Sequence, residues 1–391
     1  MQDYDKEIAS KKERIEKLLS GLVPVIEPVV RAGNPVHYRN KIHAAFGISH
    51  GKVIAGTYEP GSHKIIDGGG NILENEAAVG VVSDIVQIAN KYRMSVYNEK
   101  TGTGLLRRVL IRTADGTGQM LVVIVLGDFM FPGKKNFVKL LTSKHPEITS
   151  VVININKRTD SMILGDKSET VYGPGFITDT LLGRKFRISP ESFYQINREQ
   201  AQKLYSKAFE YASLDKGSRV LDAYCGTGTI GICASDRCGS VSGVEINPKA
   251  VSDAGQNIAI NKVSNVKVIR ADATLYMNKV SSEEHFDVVI LDPPREGTTP
   301  EFIKACGRLK PERIVYISCN PETLARDLKL FAEEGYKAQK ACPVDMFCGT
   351  EHIETVCLLS NRKPDARVKI DVDLEDYYRI KDEQKKNKAS E

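Results

Sequence analysis

Apolar and polar positions follow two different rhythms along this chain, and the change comes near Arg187. Residues 5–20 place Ile8, Ile15, Leu18 and Leu19 on one side of a helix whose other positions are mostly charged, which predicts a surface helix. Beyond Pro24 and Pro28, Val36 to Phe46 reads as a strand with basic and aromatic side chains. Short strands punctuated by Gly and Pro continue to about Ile66. Ala77, Val81, Ile85 and Ile88 recur at helical spacing within 74–93. Leu105–Thr113 and Gly118–Leu126 alternate as two antiparallel strands joined through Ala114-Asp115-Gly116-Thr117. A helix over 134–144 and strands over 149–156 and 161–164 complete an α+β region without internal repeats.

After Arg187 strands and helices take turns. Ser189 to Asn197 leads into a helix over about 197–213, and strands are predicted at 218–224, 240–245, 266–271, 286–292 and 312–319. A helix follows each, so a mostly parallel sheet with helices on both faces is expected. The implied organisation is an N-terminal helix and linker (1–35), an α+β central region (36–185), a Rossmann-like α/β domain (186–361) and a charged tail (362–391). The tail holds nine basic and eight acidic residues and few apolar ones, as a solvated helix or disordered segment would.

Composition narrows the classes. With 41% hydrophobic and 27% charged residues, and no apolar run near the ~20 residues that span a bilayer, a cytoplasmic protein away from membranes is expected. The N-terminal Met1 to Lys6 is charged and unlike a signal peptide. All eight cysteines fall between 225 and 357, none as Cys-x-x-Cys and none at zinc or iron–sulfur spacing, so free thiols and no metal are expected. The net charge of +5 divides unevenly: residues 1–190 carry 26 Lys and Arg against 19 Asp and Glu, and 191–391 carry 29 against 31. A polyanion would meet the N-terminal half. Scatter without any partner accounts for the same figures equally well.

Candidate chemistry gathers at the ends of the predicted parallel strands, where open α/β sheets bind ligands. Val220 to Gly231 is a strand, a turn with Gly226 and Gly228, and a helix. A dinucleotide site shares this Gly-x-Gly turn. Asp222, before the turn, suits a cationic amino-acid group. Glu245, ending the next strand, suits two ribose hydroxyls, and Asp272, ending the third, suits an adenine amino group. As ordinary features, each carboxylate is a helix cap or a surface charge. This series resembles the S-adenosylmethionine-dependent methyltransferase fold of class I.

The fourth strand ends in Asp292-Pro293-Pro294-Arg295-Glu296-Gly297, and the fifth ends in Ser318-Cys319-Asn320-Pro321 with Thr323, Leu324, Asp327 and Leu328 after it. Asp-Pro-Pro resembles the motif of amino-group methyltransferases, but Arg295 stands where those have an aromatic residue. RNA 5-methylcytosine enzymes place a cysteine in the fourth-strand motif, and none is here. The third motif is His352-Ile353-Glu354. Together the three are similar to those of the uridine-5 RNA methyltransferases, which make 5-methyluridine in transfer and ribosomal RNA; the resemblance covers about 36–360. Details such as Asp-Ala-Tyr-Cys-Gly-Thr-Gly-Thr-Ile-Gly at 222–231 look more like the 23S ribosomal-RNA members than the transfer-RNA ones.

The resemblance carries specific implications. Cys319 adds to C6 of uracil, which makes C5 nucleophilic toward the methyl sulfonium, and Glu354 then removes the C5 proton. A helix N-terminus after Pro321 would support the thiolate. Cofactor contacts fall on Gln195, Tyr224, Thr229, Glu245, Asp272 and Asp292, with Asp292 facing either the methionine groups or the uracil edge. Phe193 would stack near a flipped target base, and Tyr38, Arg39 and Lys41 would touch RNA; as ordinary features, those last three form a solvated strand face. Many family members begin with a β-barrel RNA-binding domain and several carry an iron–sulfur cluster. Neither is expected here, since no cysteine precedes 225 and little chain precedes Tyr38. A monomer is expected. The rival readings are an RNA methyltransferase for another base and a non-catalytic RNA-binding or assembly factor that keeps the fold.

Overall fold

The computed structural model describes residues 4–59, 61–62, 64–68, 71–128, 130–282 and 284–361, so the charged tail expected at 362–391 lies outside the described residues. The chain opens with α1 (Tyr4–Leu19) and a two-residue strand β1 (Val25–Ile26). Next come β2 (Lys41–Ser49), β3 (Lys52–Tyr58), β4 (Ile65–Asp67), α2 (Glu76–Lys91), β5 (Leu106–Ala114), β6 (Gln119–Leu126), α3 (Lys134–Lys144), β7 (Ile148–Ile155) and β8 (Lys167–Tyr172). Strands β2 to β8 form one seven-stranded sheet in the order β4-β3-β2-β5-β6-β7-β8. Only β6 and β7 pair in parallel, with α3 as the crossover between them.

Both faces of this sheet are covered, which is why β5 and β6 read as nearly continuous apolar runs. Val109, Ile111, Val122 and Ile124 pack under α2 and α3 with Ile85 and Leu141. Leu110, Leu121, Val123 and Val125 point the other way, into a core shared with the C-terminal half. Two expectations need correction. Residues 36–40 precede the strand, which starts at Lys41. The apolar stretch 161–164 is a loop whose carbonyls at Met162 and Ile163 accept from the Asn156 amide, and the true partner of β7 is β8. The Lys-Ser-Glu-Thr-Val-Tyr run of β8 is a mostly exposed edge, so it lacks the apolar alternation that marks a half-buried strand.

A hairpin, β9 (Ile177–Leu181) and β10 (Arg184–Ile188), leads to α4 (Arg198–Ala212), whose Asn197 cap accepts from Gln200 N–H. The second sheet then assembles from β11 (Arg219–Ala223), β12 (Ser240–Glu245), β13 (Val266–Arg270), β14 (Val288–Leu291), β15 (Arg313–Ser318), β16 (Lys337–Val344) and β17 (Glu354–Ser360). Helices α5 (Thr229–Ala234), α6 (Pro248–Ile260), α7 (Ala273–Val280), α8 (Pro300–Leu309) and α9 (Pro321–Glu333) connect them. The strand order is β1-β16-β17-β15-β14-β11-β12-β13. β11 to β15 run parallel, and β17 is antiparallel between β15 and β16. β17, which begins at Glu354, is thus internal to the sheet, as its buried Thr-Val-Cys run allows. The order reverses at β11, which opens a crevice at the carboxyl ends of β11 and β14.

The described residues up to Asn361 form one compact unit. α1 belongs to it firmly: Ile15 and Leu19 are wholly buried, and Lys11, 4% exposed, donates to Asp345 Oδ1 at 2.5 Å, to Glu7 and to the Phe347 carbonyl. Tyr4 donates to the other Asp345 oxygen at 2.6 Å. This buried pair anchors the 345–352 loop that leads into β17. Among the described residues no helix is long and apolar enough to cross a membrane. Removing one partner of a buried ion pair strands the other, so Lys11→Met should destabilise the protein by about 3 kcal/mol in denaturant unfolding. A loss well under about 1 kcal/mol would mean that Tyr4 alone suffices for Asp345.

Candidate active site

Tyr224, Glu245, Asp272, Asp292 and Cys319 all sit where a parallel strand gives way to a helix. β11 ends at Ala223, and Tyr224, Gly226 and Gly228 all take positive φ, at +66°, +54° and +78°. A Cβ at Gly228 would meet Ala254 at 3.3 Å, so α5 and α6 approach closely here. Asp222 is not in the crevice. It is 1% exposed and its Oδ2 accepts from Gly231 N–H beneath the turn, so it caps α5 rather than holding an amino-acid group. Burial lifts its carboxyl to about 8. Glu245 ends β12 and accepts from Gly226 N–H at 3.1 Å and Asn247 N–H at 2.7 Å, so its carboxylate is fixed against the turn. Asp272 caps α7 by accepting from Leu275 N–H.

The ends of β14 and β15 are tied together. Asn320 Nδ2 and Thr323 Oγ1, at the start of α9, both donate to the Arg295 carbonyl, at 3.1 and 3.2 Å. Arg326 donates to the Glu296 carbonyl. Asp327, fully buried, accepts from Thr298 N–H at 3.0 Å and from Tyr316 at 2.7 Å. The loop turns at Gly297, φ +79°, where a Cβ would lie 2.5 Å from the Asp327 carboxylate. The polar residues of the fifth-strand motif therefore clasp the fourth-strand motif. The Arg295 side chain reaches His352 Nδ1 at 3.1 Å.

β15 and β17 pair antiparallel, the last pair being Ser318 with Thr355. Continued by one residue, this register sets Cys319 opposite Glu354, and directly opposite residues share a sheet face with Cβ atoms about 5 Å apart. Glu354 is 3% exposed and its Oε2 has no hydrogen-bond partner. Burial and the nearby Asp292 raise its carboxyl well above the ordinary range, and burial holds Asp292 up near 7. Cys319 is half-buried. Burial, then Glu354 and Asp292, push its thiol up to about 11, and Arg295 opposes them. The thiolate expected from the helix N-terminus is thus outweighed in the free protein by burial, with the two carboxyl groups adding to it.

One cavity of about 850 Å³ is lined by Phe193, Gln195, Tyr224, Thr229, Glu245, Asp272, Asp292, Cys319 and Glu354. Every proposed catalytic and cofactor residue is among them, and Phe193, 67% exposed, stands at its mouth. Tyr205, Arg295, Phe347 and His352 line it too and went unassigned from the sequence. Arg295 and His352 lie inside the quoted motifs, whereas nothing in the sequence marks Tyr205, which α4 brings in from outside them. The three expected RNA contacts are elsewhere. Tyr38 is 9% exposed and donates to the Cys348 carbonyl, so it is a core residue and not part of an open strand face. Arg39 and Lys41 are partly exposed but outside the cavity.

The balance at the thiol can be measured. Alkylation of Cys319 in the free protein, followed on its own peptide by mass spectrometry, should rise with pH toward a midpoint near 11. Glu354→Gln removes a negative charge and should move that midpoint down; an unmoved midpoint would show that the carboxyl does not act on the sulfur.

A family model described as tRNA (Uracil-5-)-methyltransferase matches residues 167–362. A Bacillus cereus protein described as an uncharacterized RNA methyltransferase is 38% identical over 362 residues, covering 91% of this chain and 79% of its own length. A Caldanaerobacter subterraneus protein of the same description is 40% identical over 331 residues, covering 83% and 72%. Among solved structures, the Pyrococcus abyssi tRNA (uracil-54, C5)-methyltransferase in complex with S-adenosyl-L-homocysteine superposes with a TM-score of 0.75 at 29% identity, covering 91% of this chain and 83% of that one. The fold is that of the class I S-adenosylmethionine-dependent methyltransferases, with a mixed α/β region before it. Matched along half its length by the family and along nine-tenths by such relatives, the chain belongs to the tRNA (Uracil-5-)-methyltransferase family.

Proposed function

We propose that this protein transfers a methyl group from S-adenosylmethionine to C5 of a uridine in RNA, through a covalent bond from Cys319 to C6. The observation that carries the reading is the register of β15 against β17, which sets a half-buried cysteine opposite a buried, unpartnered carboxyl in one cavity. The donor fits that cavity. Six carboxyl residues line it, Glu191, Glu245, Asp253, Asp272, Asp292 and Glu354, against the cations Lys249 and Arg295, which suits a ligand with two positive charges. Gln195, Tyr224, Thr229, Glu245, Asp272 and Asp292 would hold it, and when bound it supplies an electrophilic methyl group.

The chain's own residues do the rest. Cys319 gives up its proton to water and bonds to C6, and the ring electrons then sit at C5, where the donor would supply its methyl group. Glu354 accepts the C5 proton, the C5=C6 bond reforms and the Cys319 sulfur leaves. Arg295, beside both groups, offsets negative charge. In the free protein a proton rests on the Asp292 and Glu354 pair, and positive charge in the cavity favours its release, which readies Glu354 as a base. Positioning of a flipped uracil falls to Phe193.

The 222–231 and 292–297 motifs favour ribosomal RNA as the substrate. Transfer RNA is the second reading, favoured by the names of the matching family and of the Pyrococcus structure. RNA containing 5-fluorouridine should form a covalent adduct with cofactor-loaded protein, and Cys319→Ala should abolish it. Glu354→Gln should still capture ordinary RNA but turn over about a hundred- to ten-thousand-fold more slowly. No adduct from the loaded wild type would favour a binding factor over an enzyme. Nucleoside mapping of ribosomal and transfer RNA methylated in parallel separates the two substrates.

A further inference from the structure

One face of the seven-stranded sheet changes character along its width. At β6 and the middle of β5 it is apolar and joins the core of the C-terminal half through Leu110, Leu121, Val123 and Val125. Beyond that contact it becomes cationic. β2 and β5 pair Lys41 with Arg112, His43 with Leu110 and Ala45 with Arg108, so Lys41, His43, Arg108 and Arg112 share this face. The pairing of Ala45 with Gly56 extends the face to Tyr58 on β3, and the Arg108 guanidinium lies 5.6 Å from the Tyr58 ring centre. Arg39 adds a further charge at the start of the row.

This charge is poorly compensated. The buried Nε atoms of Arg39, Arg108 and Arg112 have no hydrogen-bond partner. The charged neighbours acting on Lys41 and His43 are all cations: Arg112 on the first, and Lys41, Arg108 and Arg39 on the second. Burial and this repulsion lower Lys41 to about 8 and His43 below its usual value. Two carboxylates, Glu191 and Asp253, act on Arg112, and Glu74 lies near Arg39. Arg112 spends its donors on the Pro190 and Ser192 carbonyls, so it serves mainly as a brace and a source of field. Like charges collected on one face without counter-ions cost stability unless an anion settles on them.

The row also has a direction. Asn40, just before Lys41, donates from its side chain to the Gln195 carbonyl and from its backbone to the Ile196 carbonyl. Arg112 holds the carbonyls on either side of Glu191. Thus the cationic face begins against the 190–196 loop, which carries Phe193 and Gln195 at the cavity. From Lys41 to Ala45 it runs about 14 Å at ~3.4 Å per residue.

We propose that the β2–β5 face formed by Lys41, His43 and Arg108, with Tyr58 beside them, is a track for the phosphate backbone of the RNA strand that enters the cavity past Phe193. The track rests on the reading of the protein as an RNA methyltransferase. Its cations bind phosphates regardless of sequence and set the strand's approach, while the cavity selects the base. Tyr58, with the largely buried Arg108 guanidinium against its ring, gives a neighbouring unstacked base a surface to lie on.

Lys41→Gln with His43→Gln tests the track, using a uridine-containing RNA stem-loop titrated at several salt concentrations. The pair should bind the RNA roughly tenfold more weakly at low salt, with a log–log salt slope shallower by about 1. S-adenosylhomocysteine affinity, measured by calorimetry, should not change. Lys41→Arg with His43→Arg should restore both affinity and slope. If the double Gln variant misfolds, Lys41→Gln alone should still flatten the slope by about 1. RNA binding equal to wild type in a variant with intact cofactor affinity overturns the track, as does a wild type that binds no RNA. A wild type that binds RNA on this face, loses it in the variants and yet makes no 5-methyluridine would instead overturn the reading of the reaction.

Discussion

Everything at the cavity depends on the clasp between the first turns of α9 and the loop after β14. Two parallel strands side by side place their carboxyl ends near one another, but they do not fix the paths of the loops beyond those ends. Here Asn320 and Thr323 grip one carbonyl, Arg326 a second, and the buried Asp327 an amide, so the Asp292–Thr298 segment has one path. Tyr316 brings the same carboxylate to β15 itself. The clasp leaves Cys319 free of structural duty at the end of β15, where the proposed reaction needs it. It also explains why a motif with a single reacting atom needs Asn, Pro, Thr, Arg and Asp around it.

On this frame the protein concentrates carboxyl groups where water is scarce. Asp292 and Glu354 both have folded-state pKa values above those of an unfolded chain. Such groups contribute stability at acid pH and lose it as pH rises through about 7, so near neutrality the empty cavity works against the fold. A cationic donor relieves that cost when it binds. In the proposed reaction, the same burial and field that keep the thiol protonated in its absence tie nucleophile activation to an occupied cavity.

Much of this could be read from the chain. β11, β12, β14 and β15 are short β-branched runs bounded by Gly, Pro or Asn, and the residues just past each one carry the chemistry, so strand ends and candidate residues emerge together. Cys319 and Glu354 stand out as candidates because three separated motifs agree. Their mutual placement is not legible, because antiparallel register across the chain between them leaves no local trace. β8 escaped notice for the opposite reason: an exposed edge strand needs no apolar side. Tyr38 misled because a tyrosine beside Arg and Lys looks like an RNA contact, whereas its hydroxyl serves the buried Cys348 carbonyl. Asp222 misled similarly, since a carboxylate before a Gly-rich turn fits a ligand contact and a helix cap alike.

Charge of opposite sign is kept on either side of one short connection. The cavity is acidic and the β2–β5 face is basic, and between them lies only the 190–196 loop, held from one side by Asn40 and Arg112 and from the other by Asn197, whose amide donates to the Met346 carbonyl. A polyanion is repelled by the cavity and attracted by the face beside it. An isolated uracil ring, being neutral, suffers no such repulsion. The arrangement therefore lets a nucleobase enter where its own phosphates are refused, which is the separation that a base-modifying reaction on a nucleic acid requires. Tyr194 of that loop belongs to the apolar core that runs from Leu110 of one sheet to Val356 of the other, and this shared packing sets the spacing of the two electrostatic regions.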